Sequence, residues 1–149
     1  MQKSINSFER KINYYETDRM GIVHHSNYIR FMEEGRCAWL ESIDMPFEAM
    51  EEKGVTIPTV GVTCDYKHHV TFGDVISIQM YTVEYNGVRM KVKYVIKNKN
   101  TGDIVATGET KHCFTNRSLR PINLKKYAPE FSEKFEMLLE EARKDNMIE

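Results

Sequence analysis

Residues 14–28 read Tyr14-Tyr15-Glu16-Thr17-Asp18-Arg19-Met20-Gly21-Ile22-Val23-His24-His25-Ser26-Asn27-Tyr28 and lead into a long amphipathic run to about Ile43. β-Favouring residues give way to an acid, a glycine-containing loop, two histidines and a Ser-Asn cap candidate. The periodicity then changes: Tyr28, Phe31, Met32, Gly35, Trp39 and Ile43 recur at three- and four-residue steps, with Arg30, Glu33, Glu34 and Glu41 on other faces. A helix with one wide buried stripe follows. Gly35 in its middle costs about 0.8–1 kcal/mol relative to Ala, so a second backbone is expected to approach there, as a sheet wrapped on the helix would.

Outward from this stretch, Phe8 to Glu16 reads as a first strand, and Phe47 to Lys53 as a short helix closed by Gly54. Val55 to Tyr66, Val75 to Tyr85, Val88 to Ile96 and Ile104 to Thr115 read as four consecutive antiparallel strands, turned at Phe72-Gly73-Asp74, Asn86-Gly87 and Asn100-Thr101-Gly102-Asp103. Leu124, Tyr127, Phe131, Phe135, Leu138 and Leu139 mark a C-terminal amphipathic helix, interrupted near Pro129, before a charged tail over residues 139–149 that is expected to fray. Strands segregated from helices indicate an α+β fold, a five-stranded antiparallel sheet curled around one long helix, in a single domain over residues 1–149. Its exposed edges predict pairing with a second copy.

Composition narrows the function. With 21 basic and 22 acidic residues, the chain lacks the cationic footprint of a nucleic-acid binder. Cys37, Cys64 and Cys113 are odd in number and widely spaced, which suits reduced structural thiols. Residues 1–10 carry no apolar signal core and no run is long enough to span a bilayer, so a cytoplasmic protein is expected, without membrane insertion.

Asp18 stands between a strand and a helix start, with Gly21 permitting a tight turn. One reading is a nucleophile or general base facing a carbonyl whose oxygen is held by N–H groups near His25. The other is a turn carboxylate bonding N–H groups two or three residues on. His24-His25 and His68-His69 raise a metal site, but neighbours in an extended segment point opposite ways and no carboxylate or cysteine completes a ligand spacing; no metal is expected. His112 and Cys113 face opposite sides of a strand, which argues against a thiol-imidazole pair. Arg89, Lys91 and Lys93 form either a solvated face or a site for phosphate. Glu33 and Arg36 read as an i, i+3 ion pair.

The block from Tyr15 to Tyr28, continuing through Phe31-Met32-Glu33-Glu34-Gly35-Arg36, resembles the signature of the 4-hydroxybenzoyl-CoA thioesterase family, and especially its YbgC-like acyl-CoA thioesterases. The likeness extends through Tyr66, Phe72-Gly73-Asp74 and Gly108-Glu109-Thr110. The resemblance implies the hotdog fold, a homodimer or homotetramer, and hydrolysis of an acyl-CoA without metal or redox cofactor. It places the catalytic carboxylate at Asp18 and the oxyanion-binding backbone N–H at His25. Gly21, Val23, His24, Tyr28 and Met32 are then candidates for lining the acyl site, and Lys67, Arg89 and Lys91 for holding the nucleotide phosphates. Arg19-Met20 departs from the smaller residues common in relatives, so the acyl preference does not carry over. Two other functions compete: a non-catalytic module binding acyl-CoA or an acyl-carrier protein, and a hotdog dehydratase using His25 with Glu33 or Glu34.

Overall fold

The computed structural model describes residues 4–148, so the ends of the expected 1–149 domain, Glu149 of the tail included, lie outside the described residues. Strand β1 (Ser7–Lys11) leads through a 3-10 turn (Tyr14–Glu16) into helix α1 (Asn27–Glu41) and the short α2 (Phe47–Glu52). Strands β2 (Thr59–Tyr66), β3 (Val75–Tyr85), β4 (Arg89–Asn98) and β5 (Ile104–Cys113) follow, then α3 (Leu124–Tyr127) and α4 (Pro129–Lys144). One antiparallel sheet of order β1-β3-β4-β5-β2 carries the buried stripe of α1 on its face, the hotdog arrangement. Among the described residues no helix is long and apolar enough to cross a membrane.

The expected four-strand meander holds only for β3, β4 and β5; β2 crosses to the far edge beside β5. The link explains why. Lys67 and His68 both donate their N–H to the Val105 carbonyl at 2.8 and 3.1 Å, tying the end of β2 to β5. Ile22 then bridges Thr71, and the Gly73 N–H donates to Ile12 at 3.1 Å, so the Phe72-Gly73-Asp74 turn opens β3 beside β1 instead.

The first strand stops at Lys11, short of the expected Glu16, because the Glu16 carboxylate accepts the Asn13 N–H at 2.8 Å and curls the chain. Strand β2 starts at Thr59 after Pro58, while Thr56 makes only an isolated bridge to Thr115.

Contact between helix and sheet differs from expectation in one respect. A Cβ on Gly35 would meet the Met80 sulfur at 2.8 Å and Ile78 Cγ2 at 3.3 Å, which are side chains of β3 and not backbone. Gly108 is where bare backbone is required: a Cβ there would lie 2.6 Å from the Thr63 carbonyl oxygen and overlap the Met32 methyl. Beyond α1, helix α4 covers the same face through Tyr85, Phe114 and Phe135, whose ring centroids lie 5.4–5.7 Å apart. The tail expected to fray continues as helix to Lys144, since Ala142 is buried and Glu141 accepts the Ser4 N–H at 3.1 Å.

Candidate functional site

The loop ahead of α1 is a small hairpin. His24 donates its N–H to the Glu16 carbonyl at 2.9 Å, Thr17 pairs with Val23, and Asp18 donates to Ile22 at 2.8 Å. The turn closes with the Gly21 N–H on the Asp18 carbonyl at 2.9 Å, Gly21 having φ 80°, the left-handed region that glycine adopts without strain. Asp18 Oδ1 accepts the Met20 N–H at 2.8 Å, so the turn-carboxylate role is realised. Its other oxygen has no protein partner among the described residues, which leaves a half-buried carboxylate with one oxygen available.

The returning leg ends at His25. The His24 carbonyl accepts the Asn27 N–H at 3.0 Å. In a trans peptide C=O and N–H point opposite ways, so the His25 N–H is directed away from the first turn of α1. It has no acceptor among the described residues. The expected side-chain cap is absent: Ser26 turns its hydroxyl to His24 Nδ1 at 2.8 Å, and Asn27 donates its side-chain amide to the Glu16 carbonyl at 2.8 Å. The helix start thus presents the unpaired His25 N–H and the positive end of its dipole beside a carboxylate-bearing turn. One chain segment carries both a carboxylate and an unpaired N–H donor, the group types that attack on a carbonyl and a developing oxyanion require.

The imidazoles do not diverge as expected. His25 lies in a turn, not in extended chain, and the His24 and His25 ring centroids lie 4.1 Å apart with the planes tilted by 30°. Among the described residues no three His, Cys, Asp or Glu gather as a metal site.

An aromatic wall flanks His25. Tyr66 donates its hydroxyl to the His25 carbonyl at 3.0 Å and meets the His25 and Tyr28 rings edge-on at 6.4 and 5.2 Å. Tyr28 is buried, and burial pushes its phenol up to about 12, which keeps it neutral. Met32 is buried one turn further along α1, against Gly108. Asp18, Gly21, Val23, His24, His25, Tyr28 and Met32 are thus gathered around the hairpin and the first turns of α1, and Lys67 is exposed directly after Tyr66. Arg89 and Lys91 are not. Tyr66 lies in the row of Ala106 and Ile96, whereas Lys91 lies five residues along β4, in the row of Lys111 and Gly61. At roughly 3.3 Å per residue that is about 16 Å within one protomer. Lys91 Nζ lies 3.6 Å from Glu84 and 3.7 Å from Glu109.

Sequence reasoning missed what braces the hairpin. Arg10 grips the buried Glu16 carboxylate through both terminal nitrogens at 2.8 Å, reaches Glu34 with Nε at 2.8 Å, and lies 4.4 Å over the Phe31 ring. Burial alone would lower the Arg10 pKa, but the hydrogen bonds and charges of Glu16 and Glu34 outweigh it and raise it. The one available signal was local, an Asn13-x-x-Glu16 capping spacing. Arg36, expected to pair with Glu33, donates instead to the Tyr94 hydroxyl at 2.9 Å. That hydroxyl lies 2.6 Å from Thr110 Oγ1, which is 2.7 Å from Nε2 of the buried His112. A groove of about 610 Å³ lies elsewhere, on the outer face of α1 between Phe8, Arg30, Glu33, Cys37 and Glu41, and takes no part in the hairpin.

Comparison with known proteins agrees with this fold. The chain is 32% identical over 133 residues to YneP of Bacillus subtilis, a candidate acyl-CoA thioesterase, with 89% of this chain and 96% of that protein covered. A solved Aquifex aeolicus protein is similar at 30% identity and TM-score 0.78, with 89% and 98% covered. A DHNA-CoA thioesterase from Staphylococcus aureus shares the fold at 23% identity and TM-score 0.86, with 95% and 94% covered. The profile of the thioesterase-like superfamily matches residues 12–139, and the chain belongs to that superfamily.

Proposed function

We propose that this chain hydrolyses the thioester of an acyl-CoA, with Asp18 as nucleophile or general base and the His25 N–H as oxyanion donor. The observation that carries this reading is the hairpin, which presents a carboxylate oxygen and an unpaired N–H from one rigid segment at a helix N-terminus. Named relatives are thioesterases, and the Asp18 to Arg36 block supports the 4-hydroxybenzoyl-CoA, YbgC-like branch within the superfamily.

In the nucleophilic course an Asp18 oxygen attacks the thioester carbon, and charge builds on the carbonyl oxygen toward the His25 N–H. The C–S bond breaks, CoA leaves as thiolate and takes a proton, and water then cleaves the mixed anhydride. In the general-base course Asp18 takes a proton from water as that water attacks the same carbon; the tetrahedral intermediate then collapses, the C–S bond breaks, and CoA leaves with that proton as the thiol. Val23, His24, Tyr28, Met32 and the Tyr66 ring would line the acyl group, and Lys67 would meet the nucleotide phosphates.

The β2 edge carries exposed Val60, Val62 and Tyr66, and pairing it with a second copy would cover them. Antiparallel pairing of β2 with β2 brings the strand end carrying Arg89 and Lys91 in one copy toward the His25 end of the other. A homodimer, with further pairing to a homotetramer, is the assembly this supports, in a cytoplasmic protein. The dehydratase alternative finds little footing: Glu34 is held by Arg10, and Glu33 faces the outer groove.

Thiol release from a panel of aromatic, short-chain and long-chain acyl-CoAs tests the reading. Asp18→Asn is expected to lower kcat by about 10²- to 10⁴-fold. Equal rates in the two proteins would remove Asp18 from the chemistry, and tight acyl-CoA or acyl-carrier binding without turnover would make the chain a binding module.

A further inference from the structure

We propose that Asn27 is a positioning residue: its side-chain amide, donating to the Glu16 carbonyl, locks the first turn of α1 to the Asp18 hairpin and fixes the spacing between that carboxylate and the His25 N–H. This rests on the hydrolase reading above. Asn27 is 7% exposed, and its Nδ2 lies 2.8 Å from the Glu16 carbonyl oxygen. The same oxygen accepts the His24 N–H at 2.9 Å, so both of its acceptor positions are filled, one from each side of the junction. Glu16 is itself immobilised by Arg10 through its side chain, which makes the carbonyl a fixed anchor. The Asn27 N–H then holds the His24 carbonyl at 3.0 Å, and this bond sets the plane of the peptide that ends in the His25 N–H.

The residue type is informative. At the first position of a helix a carboxylate is favoured by the dipole. Yet Asp here would set an anionic oxygen against the Glu16 carbonyl, an acceptor facing an acceptor, leaving that oxygen without a donor and the carbonyl with His24 alone. A donor is what the junction needs. The remaining amide oxygen accepts Arg30 at 3.1 Å, a contact that Asp would keep.

Asn27→Asp therefore separates donation from size and helix preference, and Arg30→Ala removes the other contact alone. Misplacement of about 1 Å between reacting groups can cost about 10² in rate. For Asn27→Asp we expect kcat to fall about 10- to 100-fold with KM changed less than about threefold, while Arg30→Ala keeps wild-type kcat. Amide hydrogen exchange at His24 reads the junction without substrate, and its protection should drop at least tenfold more in Asn27→Asp than that of the core amides of β4, which report global opening. Wild-type kcat in Asn27→Asp, an equal loss in Arg30→Ala, or His24 protection that drops no more than that of β4 would each overturn the proposal. If the wild type cleaves no acyl-CoA, the hydrolase reading fails by itself and the exchange result still decides the role of Asn27.

Discussion

His112 makes the acid stability of this protein calculable. It is 2% exposed on β5, and burial first, then the Arg36 charge, lower its pKa from 6.5 to about 4, against a raising hydrogen bond with the Pro58 backbone. The folded value lies below the unfolded one, so between them the unfolded chain binds a proton that the folded chain refuses. Stability from this residue is therefore full above about pH 6.5 and is lost as the pH falls toward about 4. With about 1.36 kcal/mol per pKa unit, moving from pH 7.5 to pH 4.5 removes about 2–3 kcal/mol. His112→Gln keeps a hydrogen-bonding group beside Thr110 and does not titrate. Urea unfolding of both proteins at the two pH values cancels the carboxylates they share. Wild type should lose about 2–3 kcal/mol more than the variant, a midpoint difference of roughly 1 M at ordinary slopes. Parallel losses in the two proteins would refute the reasoning.

Arg10→Met leaves the Glu16 carboxylate buried without its partner and should cost about 3–5 kcal/mol in denaturant unfolding; a loss under about 1 kcal/mol would mean that Glu16 is solvated. Gly108→Ala should cost about 1–3 kcal/mol, and adding Met32→Ala should not restore stability, because the Thr63 carbonyl still blocks the new methyl. Under the proposed β2 pairing, Val62→Lys places a charge at the seam, so sedimentation should show wild type associated and the variant monomeric while circular dichroism stays unchanged; a monomeric wild type or an unaltered oligomer would refute that pairing.

The helix stripe and the turn at Asn86-Gly87 were legible because each is written in neighbouring residues. The crossing of β2 was not, since strand order depends on the Val105 carbonyl taking two N–H groups from a segment distant in sequence. Asp18 and His25 stood out through local order and through the family signature. Arg10, Glu16, Glu34 and Asn27 did not, because their bonds join residues that only the fold brings together. The Glu33–Arg36 expectation failed for a related reason: i, i+3 spacing offers a partner, but Arg36 reaches a buried phenol from β4 instead. Gly35 was noticed for its place in a helix, whereas the stricter requirement fell on Gly108, in an unremarkable strand.

The hairpin over residues 16–24 works as a jig. The carboxylate and the free amide hang from one closed ring of hydrogen bonds, so a shift of the sheet edge or of the lower turns of α1 carries both groups together. On the proposed reading, the spacing of Asp18 and His25 would then depend on this ring and on Asn27, and not on Met32, which would line the acyl group from further along α1. Substitution at Met32 would then change which acyl group fits while leaving that spacing as it was.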